Sequence, residues 1–319
     1  MTAAEHAPGL VTLGETMALF RATEVGSIAQ VSDFALAIGG AESNVAIGVR
    51  RLGGRATWIG RVGADGLGER VIRELNAEQL EVHAIVDSGA RTGLMVKERR
   101  TPEATRVTYY RAGSAGSRLD PADLDPAIIE AAGVLHLSGI TPALSPTAAA
   151  TTRAAAAIAS AAGVPVSFDV NHRSTLWPAE EAAEVYRELA ALSTIVFAGE
   201  DEAALLVGDG SPAELAARIA ALGASQVVIK LGPEGCLALI DGRIIEMPAV
   251  RITSVDTVGA GDAFVAGYLT ELLAGESPEV RLSTAVRTGA FACLGPGDWE
   301  SYPRRAELSL LDGGDPVAR

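Results

Sequence analysis

Between residues 134 and 229 the chain repeats one unit, a short apolar run followed by a longer segment with helical spacing. The apolar runs fall at 134–137, 164–168, 194–197 and 226–229, and segments with helical character fill 146–162, 179–192 and 212–222. A strand that is apolar throughout has two faces to bury. Strands separated by helices of this length join as parallel neighbours, because the helix carries the chain back to the end from which the next strand starts. The repeat therefore predicts an α/β fold, a doubly wound, mostly parallel sheet flanked by helices. In open sheets of this kind ligands bind outside the carboxyl ends of the strands.

Further strands are expected at 10–14 and 56–62, and further helices from about 41, over 67–80 and over 278–294. Residues 236–240 and 243–247, joined by Asp241-Gly242, read as a hairpin. Two stretches do not fit the main sheet. Residues 15–37 lack a helical period, and 91–111 contain GLMVKERR and TRVTYYR, β-rich segments joined by a turn around Pro102. Together they predict a small β-sheet lid, formed by about 15–38 and 88–112. Neither an internal repeat nor a long linker interrupts the chain, so a single domain over 1–319 is expected. Residues 1–8 read as loose, and the chain from Pro303 onward, above all 309–319, as a frayed tail.

With 319 residues, 48% of them hydrophobic, the chain can bury a substantial core. Its net charge of −14 excludes a nucleic-acid partner, which would require an excess of Lys and Arg. Only two lysines occur, Lys97 and Lys230, and only two cysteines, Cys236 and Cys293, both in apolar runs. That is too few cysteines for a disulfide framework or a structural zinc site. His6, His83, His136 and His172 show no metal-ligand spacing. There is no basic start leading into a long apolar region and no apolar run of membrane-spanning length, so a cytoplasmic protein without a membrane partner is expected.

The chemistry-bearing stretch is TSVDTVGAGDAFVAGYLTELL, residues 253–273. Asp262 stands behind Gly259-Ala260-Gly261, and Phe264, Val265, Tyr268, Leu269 and Leu272 then recur at helical spacing. A Gly-rich turn feeding a helix leaves its first N–H groups unpaired beside the positive end of the helix dipole, a site for phosphate oxygens. By itself the turn serves equally well as a helix start with an early acidic residue. Gly39-Gly40 precede a helix bearing Asn44; the glycines admit a ligand to the backbone and Asn44 offers both a donor and an acceptor. An ordinary strand-to-helix turn accounts for them as well. In Gly60–Gly68, GRVGADGLG, Asp65 is best read as a helix cap. Tyr109 and Arg111 share a face of an extended segment, a phenol beside a guanidinium, which suits a carboxylate. An exposed strand with ordinary aromatics is the other reading.

Taken together, GGAESN, GRVGADGLG, DVNHR (169–173), GEDE (199–202), KLGPEG (230–235) and DTVGAGDAF resemble, in order, the motifs of the ribokinase-like (PfkB-type) carbohydrate kinases. The resemblance runs from Gly14 to about Leu308. It implies the ribokinase-like fold, ATP and Mg²⁺, with Asp262 as the base that deprotonates the sugar hydroxyl. Gly259, Ala260 and Gly261 would form the anion hole, and Arg173 would stabilise the transferring charge. Gly39, Gly40, Asn44 and Asp298 (in GPGDW) would meet the sugar. Asn171, Lys230, Gly232 and Gly235 would serve the nucleotide, with Asp169 orienting Arg173. Glu202 would contact magnesium through water, although Gly199 stands where the family has Asn.

The wording GGAESNVA and the Tyr109–Arg111 pair resemble the branch acting on 2-keto-3-deoxygluconate. The substrate implied is that acid sugar, phosphorylated on its 6-hydroxyl. A kinase of a neutral sugar such as fructose or ribose is the neighbouring reading, and a silent sugar-binding regulator the remote one. The lid's exposed β-edge implies a homodimer or higher homo-oligomer.

Overall fold

The structure is a computed structural model that describes residues 8–101 and 105–312. The expected turn at Pro102 and residues 1–7 of the expected loose start lie outside the described residues. A nine-stranded sheet runs through the molecule. Its first strand, β1 (Leu10–Leu13), is flanked on one side by β4 (Ala56–Gly63) and the edge strand β5 (Glu81–Asp87). On the other side follow β8 (Val134–Ser138), β9 (Val166–Asp169), β10 (Ile195–Gly199) and β11 (Gln226–Lys230), all parallel. The antiparallel hairpin β12 (Gly235–Ile240) and β13 (Arg243–Pro248) completes that edge.

A separate four-stranded sheet contains β2 (Met17–Val25), β3 (Phe34–Gly39), β6 (Leu94–Arg99) and β7 (Thr105–Tyr110), in the order β3-β2-β6-β7. Its register places Met17, Leu19, Met95, Lys97 and Tyr109 on one face and Phe20, Leu36, Leu94, Val96 and Tyr110 on the other.

Helices cover both faces of the large sheet. Against one face lie α1 (Ala41–Arg51), α2 (Gly66–Ala77), α8 (Ala260–Leu273) and α9 (Pro278–Ala292). On the other lie α3 (Pro126–Glu130), α4 (Pro146–Ala161), α5 (Ala179–Ala191), α6 (Glu200–Val207) and α7 (Pro212–Ala220). The core is accordingly two layers, one containing Trp58, Phe197, Phe264 and Tyr268, the other Phe168, Tyr186, Leu189 and Ile219. Three helices start alike in sequence, with Ser-Pro at 145–146, 211–212 and 277–278. Each Ser hydroxyl accepts from an amide three residues on, and each Pro sits where its missing N–H is not needed. Helix α8 is buried on almost every side, from Asp262 to Glu271, which explains why its sequence is apolar all round.

Two elements carry no sequence signal of their own, and one expectation needs correction. Strand β5 pairs with β4 over its whole length although its sequence, EVHAIVD, gives no uniform apolar run, because an edge strand needs cover on one side only. Helix α6 starts directly from β10 with no intervening loop; its few apolar residues fall short of a helical period, and Glu202 caps it. The chain after Pro303 is not frayed where described. Arg305–Asp312 forms a 3₁₀ helix in which Asp312 meets Arg287 at 2.6 Å and Arg305 meets Glu271 at 2.7 Å. Residues 313–319 of the expected tail lie outside the described residues.

Candidate active site

The site lies where β1, β9, β10 and β11 end, under the inner face of the small sheet. Helix α8 opens there. Its N-cap, Gly259, adopts the left-handed conformation (φ 79°), and a Cβ there would fall 1.8 Å from the Asp298 carbonyl oxygen, so only glycine fits. The Tyr302 hydroxyl donates to the Gly259 carbonyl at 2.6 Å and holds the turn. The Ala260 amide donates to Thr257 O at 3.3 Å and the Ala263 amide to Gly259 O at 2.9 Å. In this conformation the amides of Gly259, Gly261 and Asp262 make no backbone hydrogen bond outside the helix among the described residues and are left for an anion; of the three positions of the glycine-alanine-glycine motif, the Ala260 amide is the one already engaged.

Asp262, in the first turn of α8, is buried. One carboxylate oxygen accepts from Asn44 Nδ2 at 2.9 Å and the other lies 3.5 Å from Asn171 Nδ2. Burial pushes its pKa up to about 7, with Asn44 and Arg173 pulling the other way. That value lets one group hold a proton and release it near neutrality, as a general base must. Asn44 Oδ1 is buried and finds no partner among the described residues. Asn44 lines the cleft shared with Asp262, and its orphaned acceptor is of the kind a sugar hydroxyl would satisfy.

Across that cleft stand Tyr109 and Arg111, with the Arg111 guanidinium 5.8 Å from the centre of the Tyr109 ring. Arg111 is already engaged. Its Nε and Nη2 contact one oxygen of buried Glu15 at 2.7 and 2.6 Å, and Ser114 Oγ donates to the other. Glu42, also buried, accepts from Thr141 and has its pKa pushed up to about 7 by burial. Asp298, whose pKa burial raises to about 6, closes the cleft beside Gly39, where a Cβ would lie 2.5 Å from its Oδ2. A Cβ on Gly40 would meet the Glu15 carbonyl oxygen at 2.3 Å, so both glycines are needed for the close approach of α1 to this wall.

Arg173 is exposed, lines the same cleft, and makes no ion pair among the described residues. Asp169 does not orient it. Both Asp169 carboxylate oxygens face Lys230 Nζ, at 2.7 and 3.0 Å, because the parallel strands β9, β10 and β11 bring these two strand ends together. The loop carrying Arg173 is held instead by Tyr186. Trp177 Nε1 donates to its hydroxyl at 3.0 Å and His172 Nδ1 lies 3.1 Å from it.

A second cavity of about 690 Å³ continues from Arg173 and Asp262 past Asn171 and Glu202 to Lys230 and Gly232. Beyond it a largely apolar pocket of about 660 Å³ is walled by Val250, Ile252, Phe264, Val286 and Ala290, and Gly235 lines it. A Cβ on Gly261, between the two, would meet only Lys230 Nζ at 3.9 Å, so the backbone there is open to approach. The pair of cavities fits a nucleotide, its base in the apolar pocket and its phosphates over α8. Both oxygens of Glu202 accept backbone amides, from His172 at 2.9 Å and Gly199 at 2.7 Å. Among the described residues no cluster of three His, Cys, Asp or Glu side chains could hold a metal ion alone. The carboxylates that line the phosphate-side cavity, Glu200, Asp201 and Glu202, are oxygen donors of the kind magnesium takes alongside phosphate and water.

Sequence reasoning missed Glu15, Glu42, Thr141, Lys97 and Asp256. Glu42 lies inside the GGAESN run and Asp256 inside DTVGAGD; the others carry no local signal.

A strand-end site with a buried carboxylate at a glycine-rich helix start, between a hydroxyl-binding cleft and a nucleotide-shaped cavity, defines a kinase of small hydroxylated molecules. Residues 7–305 match the pfkB family of carbohydrate kinases. The chain is 38% identical over 304 residues to 2-dehydro-3-deoxygluconokinase of Bacillus subtilis, covering 94% of each protein. It is 36% identical to 2-dehydro-3-deoxygalactonokinase of Haloferax volcanii, covering 96% of this chain and 97% of that one. Fructokinase-2 of Solanum habrochaites is 32% identical over 96% of each. Among solved structures, a PfkB protein from Polaromonas sp. JS666 superposes with a TM-score of 0.86 at 34% identity, over 95% of this chain and 99% of that one. A Pyrococcus horikoshii sugar kinase in complex with ATP does so with a TM-score of 0.82 at 27% identity, over 94% and 97%. The chain belongs to the pfkB family and is a carbohydrate kinase.

Proposed function

We propose that this kinase transfers the γ-phosphoryl group of ATP to the 6-hydroxyl of 2-keto-3-deoxy-D-gluconate. The observation that carries the reading is the cleft itself, with Asp262 and Asn44 at one end and Arg111 and Tyr109 at the other. An extended acid sugar has a hydroxyl for the first pair and a carboxylate for the second. The names of the Bacillus subtilis and Haloferax volcanii relatives support an acid sugar, and the ATP complex of the Pyrococcus horikoshii kinase supports the nucleotide.

Asp262 takes the proton of the hydroxyl as its oxygen attacks the γ-phosphorus and the bond to the β-phosphate bridging oxygen breaks, leaving ADP. Asn44 orients the carboxylate, and the Gly261 and Asp262 amides with Arg173 face the charge on the phosphoryl oxygens. Lys230, Gly232, Gly235 and Asn171 line the nucleotide's path. Magnesium would be held with the nucleotide's phosphates and would supply further positive charge, and Glu202, on the same cavity wall, would be the residue to contact its water shell. The raised pKa of Glu42 reduces the negative charge that a substrate carboxylate would otherwise meet.

A neutral-sugar kinase is favoured by one observation, that Glu15 already balances the charge of Arg111. An ADP-release assay with Mg-ATP separates the readings. A kcat/KM for 2-keto-3-deoxygluconate at least tenfold above those for fructose and ribose is expected; the reverse order would assign the cleft to a neutral sugar. The same assay run with 2-keto-3-deoxygalactonate sets the stereochemical preference.

The outer face of the small sheet, with half-buried Phe20, Leu94 and Val96 and exposed Leu36 and Tyr110, is the surface on which we place a second copy of the chain.

A further inference from the structure

The small sheet and the phosphoryl-transfer turn are joined by one buried ammonium group. Lys97 lies on the inner face of β6, two residues beyond Met95, and is only 1% exposed. A buried lysine needs full compensation, since burial disfavours its charge and leaves its donors without water. The compensation comes from outside its own sheet. Its Nζ lies 2.7 Å from Asp256 Oδ2 and 3.5 Å from Asp298 Oδ1, and it donates to the Gly297 carbonyl at 3.2 Å.

Each of these partners leads to the reacting groups. Asp256 Oδ1 accepts the Val258 amide at 3.2 Å, one residue before Gly259, and its Oδ2 accepts the Gly297 amide at 3.4 Å. The 297–298 turn in turn packs on Gly259, whose α-carbon faces the Asp298 carbonyl closely enough to exclude any side chain. Asp298 also lines the sugar cleft. A single charge thus ties a strand of the small sheet to the segment that sets the start of α8, and hence the position of Asp262 and its neighbouring amides.

We propose that Lys97 is a positioning residue for phosphoryl transfer: by holding Asp256 and the 297–298 turn, it aligns the opening of α8 only when the small sheet is seated over the cleft. The inference rests on the family's kinase activity and on Asp262 as the base. It makes turnover depend on the charge at position 97, not merely on the packing of its stem.

Removing the ammonium alone leaves two carboxylates buried without a counter-charge and can unfold the protein. The informative variant is therefore Lys97→Met with Asp256→Asn, which removes the 2.7 Å ion pair, leaves Asp298 as the one carboxylate to be neutralised and keeps the side-chain volumes, tested beside Lys97→Ala with added methylammonium. For the double variant we expect a melting temperature close to wild type, kcat lowered 30-fold or more, and KM for ATP changed less than threefold. Backbone hydrogen exchange over 256–262 is expected to be at least tenfold faster. In Lys97→Ala, methylammonium should restore kcat saturably where tetramethylammonium at equal ionic strength does not. A double variant that melts like wild type and turns over within twofold of it overturns the proposal, as does folded Lys97→Ala that methylammonium leaves inactive. The exchange measurement needs no substrate. If the sugar assignment or the base proved wrong, slow exchange over 256–262 in the double variant would still overturn the positioning role, and fast exchange would still uphold it.

Discussion

Asp262 shows how a single residue trades stability for chemistry. Its carboxyl titrates near 7 in the folded protein, against an ordinary value of 3.8. Between those values the folded state binds the extra proton, so stability is highest in acid and falls as pH rises through the folded pKa. Asp262→Asn has no proton to lose. It is expected to cut kcat by about 10²–10⁴, the usual worth of a general base. It should also melt higher than wild type, by about 1–3 kcal/mol at pH 8 and by less at pH 5, in parallel thermal scans. The kcat/KM of the wild type should rise with pH through an acid limb near 7 as Asp262 ionises; a flat profile from pH 5.5 to 8 would remove the base assignment. Arg111 carries a different coupling. Arg111→Ala strips the partner from buried Glu15 and is expected to lose about 3–5 kcal/mol of stability. That variant therefore confounds binding with folding. Arg111→Ala combined with Glu15→Gln should fold near normally. It should raise KM for the acid sugar tenfold or more while changing KM for fructose less than threefold.

At the scale of elements, α6 illustrates a substitution that the backbone tolerates. Gly199 caps it with φ −71° and ψ 167°, values any residue adopts, and a Cβ there would meet only Glu202 Oε2, at an ordinary 3.5 Å. Gly199→Asn would add a side-chain acceptor for the first amides of α6. It is expected to raise stability by a few tenths of a kcal/mol, seen as a small increase in the denaturation midpoint, with turnover kept within twofold. The carboxylate of Glu202 accepts a different donor, the Gly199 amide itself at 2.7 Å, so the two bonds would complement each other. The opposite case is α8. Gly259→Ala would drive a methyl into the Asp298 carbonyl and is expected to abolish turnover even in protein that still folds.

At the scale of the whole molecule, two sheets with different tasks share one chain. The nine-stranded sheet is covered on both faces and provides the rigid strand ends. The four-stranded sheet has one face on the cleft and leaves the other partly exposed, with Tyr110 62% accessible. Pairing of that face between two copies would stiffen the cover over the cleft. Sedimentation is expected to give a dimer at micromolar concentration, and Tyr110→Asp to shift it toward monomer; a wild-type monomer at 100 µM would rule out the interface. No helix among the described residues is long and apolar enough to cross a membrane.

What the sequence determined by itself was local and periodic. The alternation of apolar runs and helical segments specified a parallel sheet because each run had two faces to bury. The glycines of 259–261 and 39–40 were legible because only their backbone freedom and lack of a side chain suit such turns. Pairing across long stretches of chain was not legible. That Lys230 meets Asp169 rather than leaving it to Arg173, that Glu15 holds Arg111, and that Lys97 reaches Asp256 were all decided by tertiary structure. Each is an ion pair between elements distant in sequence, and no local pattern encodes which buried charge will find which. Even the rarity of lysine, visible at once, became informative only in the fold: both lysines are paired with aspartates from distant parts of the chain, around the cleft and its nucleotide-side cavity.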